Sequence, residues 1–194
     1  MKGMFAMLAA FAAAIALLAD EWRDPSTGYT WQYRINGEEA EVYAEGGGAV
    51  SPEPSGKVVI PSTLGGRPVT RIGALALDGI WHVNGVTEVT IPGTVKSIGE
   101  SAFGNCGLSR VTIPGGVTNI ERQAFNNCPN LENVTIPRKV KSIGEYAFMS
   151  CTGLRIAFVP IHLQDAVSSN SVFIACSPTL EIRYFSPPTV VEIR

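Results

Sequence analysis

Short triplets of apolar, polar and apolar residues, each followed by proline, recur along this chain at intervals of about two dozen residues. Val111-Thr112-Ile113 sets two β-branched side chains on one side and a threonine on the other, the pattern of a short strand with one buried face. Pro114 ends the strand, because proline brings no N–H to a sheet ladder, and Gly115-Gly116 supplies the corner. Val117 and Ile120 turn inward at a second bend. Ala124, Phe125 and Cys128 follow at spacings that predict a short helical turn, and Leu131 closes the circuit.

The same string stands on both sides, as VTIPGTVKSIGESAFGNCGL from Val89 to Leu108 and VTIPRKVKSIGEYAFMSCTGL from Val134 to Leu154. Pro92, Pro114 and Pro137 thus fall 22 and 23 residues apart. A period of that length predicts a solenoid, in which each unit buries its apolar face only against its neighbours. About seven inward apolar side chains per coil contribute ~10 to 20 kcal/mol of gross burial. Ordering some 22 residues costs more, at roughly 1 to 2 kcal/mol each. No coil should fold alone.

The motif Val-x-Ile-Pro, then Val-x-x-Ile-Gly, then Ala-Phe-x-x-Cys resembles the BspA-type leucine-rich repeat family of secreted and surface proteins, mainly bacterial. The match covers about Val58 to Cys176 and weakens towards both ends. The resemblance implies a right-handed leucine-rich-repeat solenoid with short parallel strands on a concave face and little helix. It implies adhesion or protein binding as the role, no catalysis, no cofactor and no catalytic residue to carry over.

The pattern changes towards the ends. Residues 20–57 read as a polar linker, Asp20 to Thr27, followed by an N-terminal β-hairpin cap. Trp31, Tyr33 and Ile35 alternate with polar residues, Asn36-Gly37 signals the turn, and Ala40 and Val42 return. Such a cap would cover the first coil's apolar end. A sugar-stacking platform of Trp22, Trp31 and Tyr33 is the functional rival. Glu45 to Gly56 reads as a loop.

Residues 58–176 hold about five coils. The first, Val58 to Ile80, is divergent, with a corner widened by STLGGRP and with Leu77 and Ile80 where Phe and Cys stand later. In the fifth strand Ala157 and Val159 point inward, which turns Ile156 and Phe158 outward. These two are covered by the C-terminal segment, touch a ligand, or reflect a slipped register. Residues 177–194 read as a capping strand through Leu180, Ile182 and Tyr184, then a tail stopped at Pro187-Pro188, with no membrane segment or wall-sorting motif before Arg194.

Residues 1–19 begin with a lysine, continue as an Ala-rich apolar run and meet Asp20-Glu21, the pattern of a secretory signal peptide with small residues near a cut between Ala16 and Ala19. A retained anchor is the rival, although the run is short for a hydrocarbon core of about 30 Å. So is a pilin-like leader cut after Gly3. A retained or pilin-like helix would make the chain a structural, self-assembling filament or matrix protein. The signal-peptide reading makes it secreted or displayed on a bacterial surface.

Composition adds exclusions. With 194 residues, 45% hydrophobic, and a net charge of −2, there is room for a continuous core and no basic excess for nucleic acid. Cys106, Cys128, Cys151 and Cys176 occupy the same inward site of successive coils, so they should form a column of small buried residues with free thiols. Adjacent coils about 4.8 Å apart would allow a bond in principle, yet parallel side-chain directions suit disulfide torsion poorly. No Cys-x-x-Cys pair or histidine cluster suggests a metal. His82 and His162 stand far apart, and Asn133-Val134-Thr135 is a glycosylation sequon lying inside a strand.

What remains is surface. If the Val and Ile of each strand point inward, the concave ladder presents Glu88 and Thr90, Arg110 and Thr112, Asn133 and Thr135, then Ile156 and Phe158. Threonines across strands stabilise a sheet whatever the function. The variable column Glu88, Arg110, Asn133 and Ile156 is free to encode a partner, most simply a host or neighbouring-cell protein, with a glycan or self-association as alternatives.

Overall fold

The structure, a computed structural model, describes residues 19–43, 45, 48–79 and 85–186. The leader expected over 1–19, except its last residue, the core position at Ile80, His82 and the Pro187-Pro188 stop lie outside the described residues.

Alternation builds the entry to the solenoid. Strands β1 (Asp20–Arg23), β2 (Thr30–Asn36), β3 (Glu39–Val42) and β4 (Val50–Ser51) form an antiparallel piece in which β2 pairs with each of the others. Two expectations are corrected. The first half of the polar linker, Asp20–Arg23, is an edge strand, with Trp22 opposite Trp31 in register. The hairpin turn sits at Gly37-Glu38, one residue later than Asn36-Gly37, because Asn36 pairs with Glu39 and donates across the hairpin to Glu41 Oε2 at 3.2 Å. Gly37 has φ +64°, as a glycine at the first position of a tight hairpin turn requires. Trp31 is fully buried and Tyr33 nearly so, which removes them from any sugar platform and makes them part of the core.

The first coil runs through β5 (Gly56–Val59), β6 (Thr63–Leu64) and β7 (Arg67–Ile72). Its expected wide corner is a small hairpin of β6 and β7 around Gly65-Gly66. The regular coils each carry a strand on two sides: β8 (Val86–Thr90) and β9 (Ser97–Ile98), β10 (Arg110–Thr112) and β11 (Asn119–Ile120), β12 (Asn133–Thr135) and β13 (Ser142–Ile143). β14 (Ile156–Pro160) and β15 (Glu181–Phe185) continue the first side, separated by a 3-10 turn and one short helix, Gln164–Ser169. The C-terminal strand read as a cap is a sixth rung, since β15 pairs parallel with β14 in register.

The second bend, read only as a corner, is a ladder of its own. Val-x-x-Ile places two strand residues per coil, so β7, β9, β11 and β13 pair in parallel, and β3 joins β7 to make the cap continuous with this sheet. Ile72, Ile98, Ile120 and Ile143 point into the core from it.

The third side departs from the helical turn expected at Ala-Phe-x-x-Cys. Ser101, Asn105, Gln123, Asn127, Tyr146 and Ser150 hold φ between 49° and 60°. This left-handed spacing turns backbone donors out of the coil rather than back along it. Phe103 N–H donates to Ala124 O at 2.8 Å, Phe125 to Ala147 O at 2.8 Å and Phe148 to Val172 O at 2.9 Å, always towards the next coil. Cross-coil bonds thus alternate with three-residue turn bonds, such as Asn126 N–H to Gln123 O at 2.9 Å, in place of the four-residue bonds of a helix.

Inside, Phe103, Phe125, Phe148 and Phe173 stack face to face with centroids 5.2, 5.0 and 5.4 Å apart. Beside them runs the cysteine column. Cys106 Sγ lies 3.3 Å from Leu77 O, Cys128 3.3 Å from Phe103 O, Cys151 3.2 Å from Phe125 O, and the half-buried Cys176 3.0 Å from Phe148 O. All four thiols are free.

Candidate functional site

The first-side strands carry every candidate binding residue. Strand period puts Val89, Val111, Val134 and Ala157 in the core, so the residues either side of each face outward. Register aligns Lys57, Glu88 and Arg110 in one column and Val59, Thr90 and Thr112 in the next. Further along, Asn133, Ile156 and Glu181 align, as do Thr135, Phe158 and Arg183. Thr90, Arg110, Thr112, Asn133, Thr135 and Phe158 are exposed, and Glu88 and Ile156 are half-buried.

Charge on this face is partly spoken for. Lys57 Nζ lies 3.0 Å from Glu88 Oε1. Arg183 Nη2 lies 2.8 Å from Glu181 Oε2, and that hydrogen-bonded guanidinium holds the Glu181 carboxyl below its usual range. The Arg183 guanidinium also lies 5.8 Å over the Phe158 ring, so the C-terminal rung shields the phenyl partly and leaves it 36% exposed. Ile156 is held between Asn133 and Glu181 of the neighbouring strands.

The ladder is not continuous. β5, β8 and β10 form one sheet and β12, β14 and β15 another, with no strand pairing between β10 and β12. The backbone bond entering the break, Glu132 N–H to Ser109 O, is stretched to 3.5 Å, against 3.0 Å for Ser109 to Thr87 and 2.8 Å for Arg155 to Glu132. The break coincides with a change of coil length. Cys106 is two residues from Leu108, whereas Cys128 is three from Leu131, so the 22-residue coil meets a 23-residue one here.

A cleft of about 770 Å³ opens over this break. Arg110, Thr112, Asn133 and Thr135 line it, which brings together four of the eight candidates, while Glu88, Thr90, Ile156 and Phe158 lie outside. Sequence reasoning missed its rim of Arg138, Lys139 and Phe185. Arg138-Lys139 stands at the corner where earlier coils have Gly93-Thr94 and Gly115-Gly116, and that exchange together with the length step was the available signal. Arg138 donates to Ser186 O at 2.9 Å and its guanidinium lies 5.1 Å from the Phe185 ring centre.

His162 Nε2 lies 2.8 Å from Val140 O, one coil back. Among the described residues no group of three His, Cys, Asp or Glu side chains could hold a metal, and no helix is long and apolar enough to cross a membrane. The sequon residue Asn133 is exposed within β12.

Residues 80–192 match the family profile of the BspA type leucine rich repeat region, in six copies. Among solved structures, a leucine rich cell surface protein from Faecalibacterium prausnitzii superposes with a TM-score of 0.62 at 22% identity, over 84% of this chain and 39% of that one. The chain thus spans about two fifths of that relative's length. A leucine-rich repeat protein from Bacteroides capillosus gives 0.52 at 27% identity, over 66% of this chain and 91% of that one. The pneumococcal vaccine antigen PcpA gives 0.57 at 15% identity, over 87% and 50%. No match was found among curated proteins.

Proposed function

We propose, since this chain belongs to the BspA-type leucine-rich repeat family, that it is an exported or surface-displayed protein-binding module whose strand-ladder face grips its partner in adhesion. The family is generally non-catalytic, and its solenoids serve interaction. One observation carries the reading. Along the outward column the side chain changes from Lys57 to Glu88, Arg110, Asn133, Ile156 and Glu181, while the inward neighbours stay aliphatic. A scaffold that repeats its core and varies its exposed rung displays a pattern that a partner can read. Two structural neighbours, described as a cell surface protein and a vaccine antigen, agree with display at a surface.

The test is to immobilise the full chain and measure binding to a panel of host-surface and matrix proteins by interferometry, beside an Arg110→Glu, Phe158→Glu variant of equal melting temperature. The expected result is a panel protein held by the parent and released by the variant. Indifference of every bound protein to the variant would contradict the reading. N-terminal sequencing of the exported protein, with a start near Asp20, would remove the rival of assembly driven by a retained leader.

A further inference from the structure

We propose that the cleft between β10 and β12 is a receptor for an extended acidic peptide segment carrying apolar side chains. This rests on the reading of the ladder face as a binding surface and names the chemistry its centre selects.

Charge is the first ground. Arg110, Arg138 and Lys139 line one cleft, and among the described residues no carboxylate does, on a chain whose net charge is −2. The acid beside Arg110 in register, Glu88, is engaged by Lys57. Neither Arg110 nor Lys139 has a carboxylate within ion-pairing distance among the described residues. Arg138 is held by a carbonyl and a ring, both neutral, which orient its guanidinium without cancelling its charge. Guanidinium forks bind carboxylates with two parallel bonds, so an Asp or Glu side chain is the fitting anion.

Shape and polarity supply the second ground. Ile113 and Phe185 give the cleft apolar walls, and Thr112, Asn133 and Thr135 offer donors and acceptors between the cations. A peptide brings all three complements at once: carboxylates, apolar side chains and backbone amides. A sulfated glycan would leave the apolar walls unmatched.

The cleft is open because the third coil turns its corner with glycine. At Gly115 an added Cβ would meet nothing within 4 Å and φ lies outside the left-handed region, so a side chain there would fill the cleft without disturbing the backbone. Gly116 differs, since a Cβ there would lie 2.9 Å from Gly93 O. Gly115→Glu therefore places a carboxylate of the protein's own at the site.

The experiment titrates the full chain into a fluorescein-labelled peptide of about ten residues alternating Glu and Phe, read by anisotropy, beside the same peptide with Lys for Glu, and with heparin as competitor. Expected are saturable binding of the Glu peptide alone, weakening as salt rises, and losses of about tenfold or more in Arg110→Ala and Gly115→Glu. Thr152→Ala, exposed and outside the ladder face, should change nothing. Equal binding of both peptides, insensitivity to Gly115→Glu at unchanged melting temperature, or preferential capture of heparin would overturn the proposal. Should a partner from the panel be lost with Phe158→Glu and kept with Gly115→Glu, the cleft assignment falls and the ladder-face reading stands. If neither variant releases it, the ladder-face reading falls too.

Discussion

Arg71 Nη2 lies 2.8 Å from Glu121 Oε1, although an entire coil separates the two residues in the stack. Ser97 Oγ, in the coil between, lies 3.4 Å from both side chains. The same guanidinium lies 3.1 Å from Glu41 Oε1, whose other oxygen is 2.7 Å from Arg34 Nε. A line of charges thus runs from the hairpin to the third coil.

Glu41 is the buried member of that line, with its side chain 4% exposed. Glu41→Gln keeps the shape and removes the charge that two guanidiniums face. Both arginines are about 40% exposed and can rehydrate, so the loss should be about 1 to 2 kcal/mol rather than the 3 to 5 of a fully buried pair. Urea titration followed by tryptophan fluorescence reads it, and a double-mutant cycle with Arg71→Met should show coupling. A shift below about 0.3 kcal/mol would mean the line of charges does not hold the cap.

The phenylalanine column should be most sensitive in its middle. Phe125 is fully buried between two stacked rings, so Phe125→Ala should lower stability by about 3 to 5 kcal/mol. Phe173, half-buried at the end of the column, should lose less than half as much on the same change. Equal losses at both sites would argue against a continuous stack.

The thiols should respond to alkali in one direction. Burial raises the Cys106 pKa, and contact with Cys128 raises that of Cys151 ahead of burial, while contact with Cys151 does the same for Cys176. A thiol that ionises less readily when folded contributes stability that is whole below the unfolded value, about 8.5, and is lost as pH rises beyond it. Urea midpoints should fall from about pH 8.5 upwards, and less steeply in Cys106→Ala. Labelling with a thiol reagent at pH 8 should be slow for the native chain and reach all four cysteines on unfolding. Rapid native labelling of Cys106 would contradict this.

Left-handed positions on the third side should divide by what their side chains do. Ser150, at φ +59°, makes no side-chain hydrogen bond among the described residues, so Ser150→Gly should raise stability by about 0.5 to 1 kcal/mol. Asn127, at φ +52°, donates to Asn105 Oδ1 at 2.9 Å, and Asn105 in turn donates to Asp78 Oδ1 at 3.0 Å. Asn127→Gly loses that bond and should gain nothing. Thermal melts of the two variants separate them.

The sequence disclosed what repeats and concealed what differs. Val111 and Ile113, echoed at Val89 and Val134, announce the strands and their buried side, because alternation and proline act locally. Ser101, Gln123 and Tyr146 carry no sign of positive φ, since cross-coil bonds impose it after stacking, and the expected helical turn was lost there. The cleft was legible only by subtraction. One residue more between Cys128 and Leu131, and Arg138-Lys139 in place of glycines, mean little until the coils are laid side by side.

The one-way bonds of the Ala-Phe side bear on how such a molecule could lengthen. Since Phe103, Phe125 and Phe148 all give their amide hydrogens in the same direction, an interior coil presents acceptors behind and donors ahead on this side. A duplicated unit of equal length would find its amides on this side already matched, and a deleted one would leave none of them orphaned. On that side, therefore, hydrogen bonding sets no limit on the number of coils.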